Sequence, residues 1–111
     1  MKPTPTPLPD VVSRYFDAAN RFDAASAADC FTPEATVLDE GNTYVGTETI
    51  KNWISHTGEK FRPNTSVVDA QRKGEEIAVS ARVSGNFPGS PVELRFVFAL
   101  SQEKIARLSI Q

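Results

Sequence analysis

Asp39 is the residue best placed to do chemistry. It closes the run Ala35-Thr36-Val37-Leu38-Asp39, in which the period-2 pattern of a strand puts it on the same face as Val37. A carboxylate aimed at an apolar face loses solvation, so its pKa rises toward the range in which it serves as a general base. Tyr15 is the one phenol on the buried stripe of an amphipathic helix. Each has an alternative reading that stays open. Asp39 can be a strand-end carboxylate whose pKa is depressed by backbone amides of a Gly41-Asn42 turn. Tyr15 can simply bury its ring and give its hydroxyl to a backbone carbonyl or to water.

The other reactive side chains are more restricted. Cys30 is the single cysteine, which excludes an intrachain disulfide and a Cys-based metal cluster, and its apolar surroundings suit a small core residue. His56 is the single histidine, which excludes a multi-His zinc site, and its place near Gly58 suits the negative end of a helix dipole. Trp53, from a helix, and Phe87, from a loop overhanging a pocket mouth, are the expected ligand contacts, with plain core or cover as the alternative for each. Phe96, Val79 and Leu108 share the inward-facing pattern and are expected to line the same pocket.

At 111 residues the chain has room for one domain, so any function must fit in one cavity. Twelve Lys and Arg against 14 Asp and Glu give a net charge of -2 with no basic run, which argues against nucleic acid as a partner. No apolar stretch approaches the roughly 20 residues that span a bilayer. The start, Met1-Lys2-Pro3-Thr4-Pro5-Thr6-Pro7, lacks the apolar segment of a secretory signal, and a cytoplasmic protein is expected.

The positioning elements follow from periodicity. Residues 1–8 form a Pro/Thr-rich tail expected to be disordered, and the domain runs from 9 to 111. Val11, Val12, Tyr15, Phe16, Ala19 and Phe22 recur at helical spacing, and a shorter helix capped near Asp23 is expected to stop near Thr32-Pro33. Thr47 reads as the N-cap of a third helix that buries Ile50, Trp53 and Ile54 and stops at Gly58. Alternation then takes over. Ser66 to Lys73 is a strand; Ile77, Val79, Ala81 and Val83 share one face of the next; Val92, Leu94, Phe96, Phe98 and Leu100 share a face of another. Ala106, Leu108 and Ile110 line the last. Three helices followed by long antiparallel strands make an α+β domain whose helices close one side of a curved sheet. The opposite sheet face mixes Ser80, Arg82, Val97 and Ala99, so a homodimer through the sheet is expected.

This order of motifs resembles the NTF2-like superfamily, and within it the SnoaL-like and steroid delta-isomerase-like branch. The resemblance is carried by Val11 to Asn20, by Phe31-Thr32-Pro33-Glu34-Ala35-Thr36-Val37-Leu38-Asp39 and by Tyr44-Val45-Gly46-Thr47-Glu48-Thr49-Ile50, and it covers about residues 9 to 111. It implies a cone of three N-terminal helices packed on a strongly curved, mainly antiparallel sheet. The isomerase pattern implies a base on the first strand, a phenol on the first helix and a protonated acid on a late strand. Asp39 matches the base and Tyr15 the phenol. Phe96 stands where the acid is expected, Ile54 where a second tyrosine is common, and Glu40-Gly41 replaces a proline after the base.

The expected function is binding of a compact, hydrophobic, carbonyl-bearing molecule, steroid-like, polyketide-like or aromatic. Asp39 and Tyr15 would carry out an isomerase, cyclase or lyase reaction by proton transfer, with no metal or organic cofactor needed. The alternative is a non-catalytic ligand-binding or dimeric interaction module of the same superfamily, which the missing acid at Phe96 favours.

Overall fold

Apolar residues at helical and alternating spacing sort this chain into two layers. The computed structural model describes residues 8–111. The expected tail falls outside those residues except for Leu8, which is partly buried and packs against the core. Helix α1 spans Asp10–Asn20, α2 Ala24–Ala28 and α3 Thr47–Phe61. The strands are β1 Phe31–Asp39, β2 Asn42–Val45, β3 Asn64–Lys73, β4 Glu76–Ser84, β5 Val92–Ser101 and β6 Lys104–Ile110. They form one six-stranded sheet in the order β2-β1-β6-β5-β4-β3. Neighbouring strands are antiparallel except β1 and β6, which run parallel.

The core between the layers is largely aromatic. Val11, Val12, Tyr15 and Phe16 of α1 are buried against Phe31, Phe96 and Phe98. The Tyr15 ring meets Phe31 edge-on at 5.6 Å and Phe98 at 5.8 Å, while Phe16 meets Phe96 at 5.3 Å. Such edge-to-face pairs each add about 0.5–1.5 kcal/mol beyond area burial. They also fix the tilt of the Tyr15 ring, which decides where its hydroxyl emerges.

Several sequence expectations are corrected by backbone irregularities. Phe22 does not continue the buried stripe of α1. It lies past the helix end at a φ of 59° and is 39% exposed, and the Arg62 guanidinium covers its ring at 3.7 Å from the centroid. Helix α2 ends at Ala28 rather than near Thr32, so Phe31 to Glu34 belong to β1. Pro33 is tolerated there because the pairing with β6 shifts register between Phe31 and Thr36, leaving no ladder bond for it to break. In β6 it is Ile105, not Ala106, that enters the core beside Leu108, because a bulge opposite Ala99 and Leu100 resets the alternation.

Helix α3 passes through Gly58 for another turn and ends at Arg62, which takes the left-handed conformation at a φ of 48°. His56 is therefore an exposed mid-helix residue and not a helix-end one. Gly58 lies beneath the Phe22 ring, where an added methyl would make an ordinary contact of 3.5 Å. Gly85 is different: a methyl there would stand 2.6 Å from the Phe61 carbonyl oxygen.

The two glycines should therefore respond in opposite directions in a denaturant titration. Gly58→Ala is expected to stabilise the fold by about 0.5–1 kcal/mol, the helix-propensity difference. Gly85→Ala is expected to destabilise it by about 1–3 kcal/mol through overpacking. A destabilised Gly58→Ala or a neutral Gly85→Ala would contradict the packing described for this end of α3.

Candidate functional site

Asp39 is brought to its position by a tight hairpin. Its backbone pairs with Asn42, leaving Glu40 and Gly41 as a two-residue turn with φ values of 50° and 79°. Two successive positive φ values match the twist of the flanking strands, and glycine adopts the second without strain. The turn is thus Glu40-Gly41, and Asn42 already belongs to β2. Asp39 does not fold back on the turn amides. Its Oδ2 accepts a hydrogen bond of 3.1 Å from the indole Nε1 of Trp53, fourteen residues along the chain on α3.

The carboxylate is half-buried, and its pKa lies above the ordinary aspartate range. Burial is the main cause and the nearby Glu40 charge adds to it, while the Trp53 hydrogen bond pulls the other way. That balance is the reverse of the depressed pKa expected for a strand-end carboxylate capped by turn amides. Trp53 is itself held from behind by Tyr44 of β2, with ring centroids 5.8 Å apart.

Asp39 and Tyr15 line one cavity of about 170 Å³ between the helices and the inner face of the sheet. Its wall includes Trp53, Ile54, Thr57 and Phe61 of α3, and Val83, Leu94, Phe96 and Ile110 of the sheet. Tyr15 is only 5% exposed, and among the described residues no protein group hydrogen-bonds its hydroxyl. Its pKa is driven far above the usual phenol range by burial, then by the charges of Asp39 and Cys30. The phenol therefore stays protonated and keeps a proton to donate. Phe96 presents an apolar ring where the resemblance leads one to expect an acid, and Ile54 is a buried aliphatic wall.

The other expected ligand contacts divide by depth. Trp53 and Phe96 line the cavity, whereas Val79 and Leu108 are wholly buried in the core and do not reach it. Phe87 does not line it either; its ring meets Phe61 edge-on at 6.1 Å and supports that wall from outside. Cys30 is buried away from the cavity, with its thiol pushed up by burial and 3.6 Å from the Ser26 carbonyl oxygen. Sequence reasoning did not single out Glu40, Phe61 or Thr65 as lining residues, nor the clasp that holds Thr65. The Asn20 carboxamide donates to the Thr65 carbonyl at 2.9 Å and accepts from its amide at 2.8 Å, tying the end of α1 to β3. An Asn at the end of a helical stripe was the available signal.

The family model of the SnoaL-like domain matches residues 12–108. The chain belongs to the SnoaL-like family. Within the NTF2-like superfamily, this SnoaL-like protein is similar to a Sinorhizobium meliloti protein provisionally described as a polyketide cyclase. Identity is 38% over 94% of this chain and 95% of the other, with a TM-score of 0.91. A Catenulispora acidiphila protein of ketosteroid isomerase-like fold, solved in complex with trimethylamine, shares the fold at 20% identity. That match covers 95% of this chain and 86% of the other, with a TM-score of 0.85. An epoxide hydrolase/cyclase-like enzyme of pyran ring formation in the polyether salinomycin shares it at 18% identity over 91% and 86%, with a TM-score of 0.79. No curated protein matches the SnoaL-like chain. Among the described residues no helix is long and apolar enough to cross a membrane.

The raised Asp39 pKa has a defined consequence for stability. The folded state holds the Asp39 proton more tightly than the unfolded state does, so stability falls as pH rises from the ordinary aspartate value of about 3.9 through the raised folded value. The carboxamide of an Asp39→Asn variant would keep an oxygen to accept from Trp53 and carry no charge. That variant is therefore expected to melt no lower than the parent at pH 7, with any advantage shrinking on acidification and gone below about pH 3. Thermal melts across this range check it; a variant clearly less stable at neutral pH would mean that the charge supports the fold.

Proposed function

We propose that this SnoaL-like protein catalyses a cofactor-independent proton transfer on a compact carbonyl compound, as an isomerase, cyclase or lyase. One observation carries the reading: a half-buried carboxylate of raised pKa and an unpartnered, protonated phenol open on the same apolar cavity. Bound with its carbonyl toward Tyr15, a substrate loses the proton on the adjacent carbon to Asp39. The C–H electron pair passes into an enolate, whose oxygen takes the Tyr15 hydrogen bond. Asp39 then returns the proton to another carbon; or the enolate carbon attacks a second carbonyl to close a ring and the new alkoxide takes the proton from Asp39; or the enolate expels a leaving group, which takes that proton as it departs. Each outcome balances without an external oxidant or reductant.

The cavity narrows the substrate. Its volume of about 170 Å³ falls below the roughly 300–1,000 Å³ of sites for drug-sized ligands, which favours a short-chain or one-ring carbonyl compound over a fused-ring steroid. Of positions 15, 54 and 96, only Tyr15 offers the enolate a side-chain donor. Without a donor at positions 54 and 96, the site suits carbon acids already activated by a second carbonyl, as in polyketide-like fragments.

The experiment is a turnover screen of small ketones, enones and 1,3-dicarbonyl compounds with the parent protein and two variants. Asp39→Asn is expected to lower turnover by about 10²–10⁴-fold, the usual contribution of a positioned general base. Tyr15→Phe is expected to cost about 10²–10³-fold, as for loss of one oxyanion donor. Full activity in Asp39→Asn would sink the mechanism. The second reading, a non-catalytic binder, is favoured by the apolar ring at Phe96; it predicts saturable binding of the same compounds with no turnover by any form.

A further inference from the structure

The charge distribution around the cavity is one-sided. Its lining contains two carboxylates, Asp39 and Glu40, and the aromatic rings of Tyr15, Trp53, Phe61 and Phe96, but no Lys, Arg or His. Of the two cations flanking Phe61 in the chain, Arg62 lies on the Phe22 ring at 3.7 Å and exposed Lys60 stands 5.2 Å from the Phe61 centroid; neither lines the cavity. Nothing among the lining side chains neutralises the half-buried Asp39. An anionic ligand would therefore meet like charge in a partly desolvated site, with no cation to offset it. A cationic ligand meets the opposite situation, since carboxylates and the negative faces of aromatic rings both attract it.

Glu40 adds a second, local argument. It occupies the first central position of the hairpin turn, immediately after Asp39. Here the side chain is a carboxylate at the cavity wall, next to Asp39 and close enough for its charge to be felt there.

We propose that the cavity accepts a compact ligand bearing an organic cation, an alkylammonium or quaternary ammonium group, and that Glu40 is the specificity-determining residue that selects it over neutral and anionic analogues. The inference deepens the proton-transfer reading by naming the substrate class, and rests on it only for what happens after binding. An ammonium group held near the carbonyl also acidifies the intervening C–H bonds.

Trp53 is the only tryptophan in the chain, so its emission reports this cavity alone. The full-length protein is titrated at constant ionic strength with three probes of similar shape: tetramethylammonium, tert-butanol and pivalate. Tetramethylammonium is expected to give a saturable change with an affinity about tenfold or more above that of tert-butanol, and pivalate none. Glu40→Gln, an exposed turn substitution, should weaken tetramethylammonium about three- to tenfold while leaving tert-butanol unchanged. Pivalate binding as tightly as tetramethylammonium, an unchanged tetramethylammonium affinity in Glu40→Gln, or no response to tetramethylammonium would each overturn the proposal. Asp39-dependent turnover of neutral ketones without any charge preference would remove this inference and leave the proton-transfer reading standing. Cation-selective binding with no turnover of any carbonyl compound would do the reverse.

Discussion

The hydrogen bond from the Trp53 indole to Asp39 joins the two layers of the site. Without it, a half-buried carboxylate at the end of β1 would have no protein donor and would face the choice of turning to solvent or taking up a proton. With it, the carboxylate has one fixed oxygen and one free to meet a ligand. The bond is insufficient to cancel the cost of burial, and Asp39 remains easier to protonate than an exposed aspartate. A base needs that incomplete compensation, because a fully satisfied carboxylate has little tendency to accept a proton.

The rest of the fold serves this geometry. The Glu40-Gly41 turn ends β1 immediately after Asp39 and returns the chain so that Tyr44 backs the Trp53 ring. The aromatic cluster of Phe16, Phe31 and Phe98 locks the Tyr15 ring, so that the helix contributes a phenol hydroxyl to the cavity at little further entropic cost. The Asn20 clasp on β3 and the Arg62–Phe22 stack hold α1 and α3 at the end of the cone where Gly58 and Phe61 form the wall. A fold does not by itself fix a reaction, and so the chemistry has to be argued from the lining residues.

Much of this was legible in the sequence because it depends on which face a residue takes. The alternation through Val37 and Asp39 and the helical stripe through Tyr15 both survive in the structure, as do the inward faces of β4 and β5. Depth along a strand was not legible. Val79, Leu108 and Phe96 share inward-facing patterns, yet only Phe96 reaches the cavity, because sheet curvature decides how near each comes to α3. Bulges were equally hidden, and one of them exchanged Ala106 for Ile105 in the core. The Trp53 to Asp39 bond escaped for a different reason: it is a tertiary contact between a helix and a strand end, with no fixed spacing to announce it.

The most direct test of the account is a carbon-13 NMR titration of the Asp39 carboxyl in the folded protein, assigned by comparison with Asp39→Asn. The account predicts a midpoint above the ordinary aspartate value of about 3.9, with Tyr15 still protonated throughout the range. A midpoint at or below that value would make Asp39 a satisfied structural carboxylate and would contradict its role as the base.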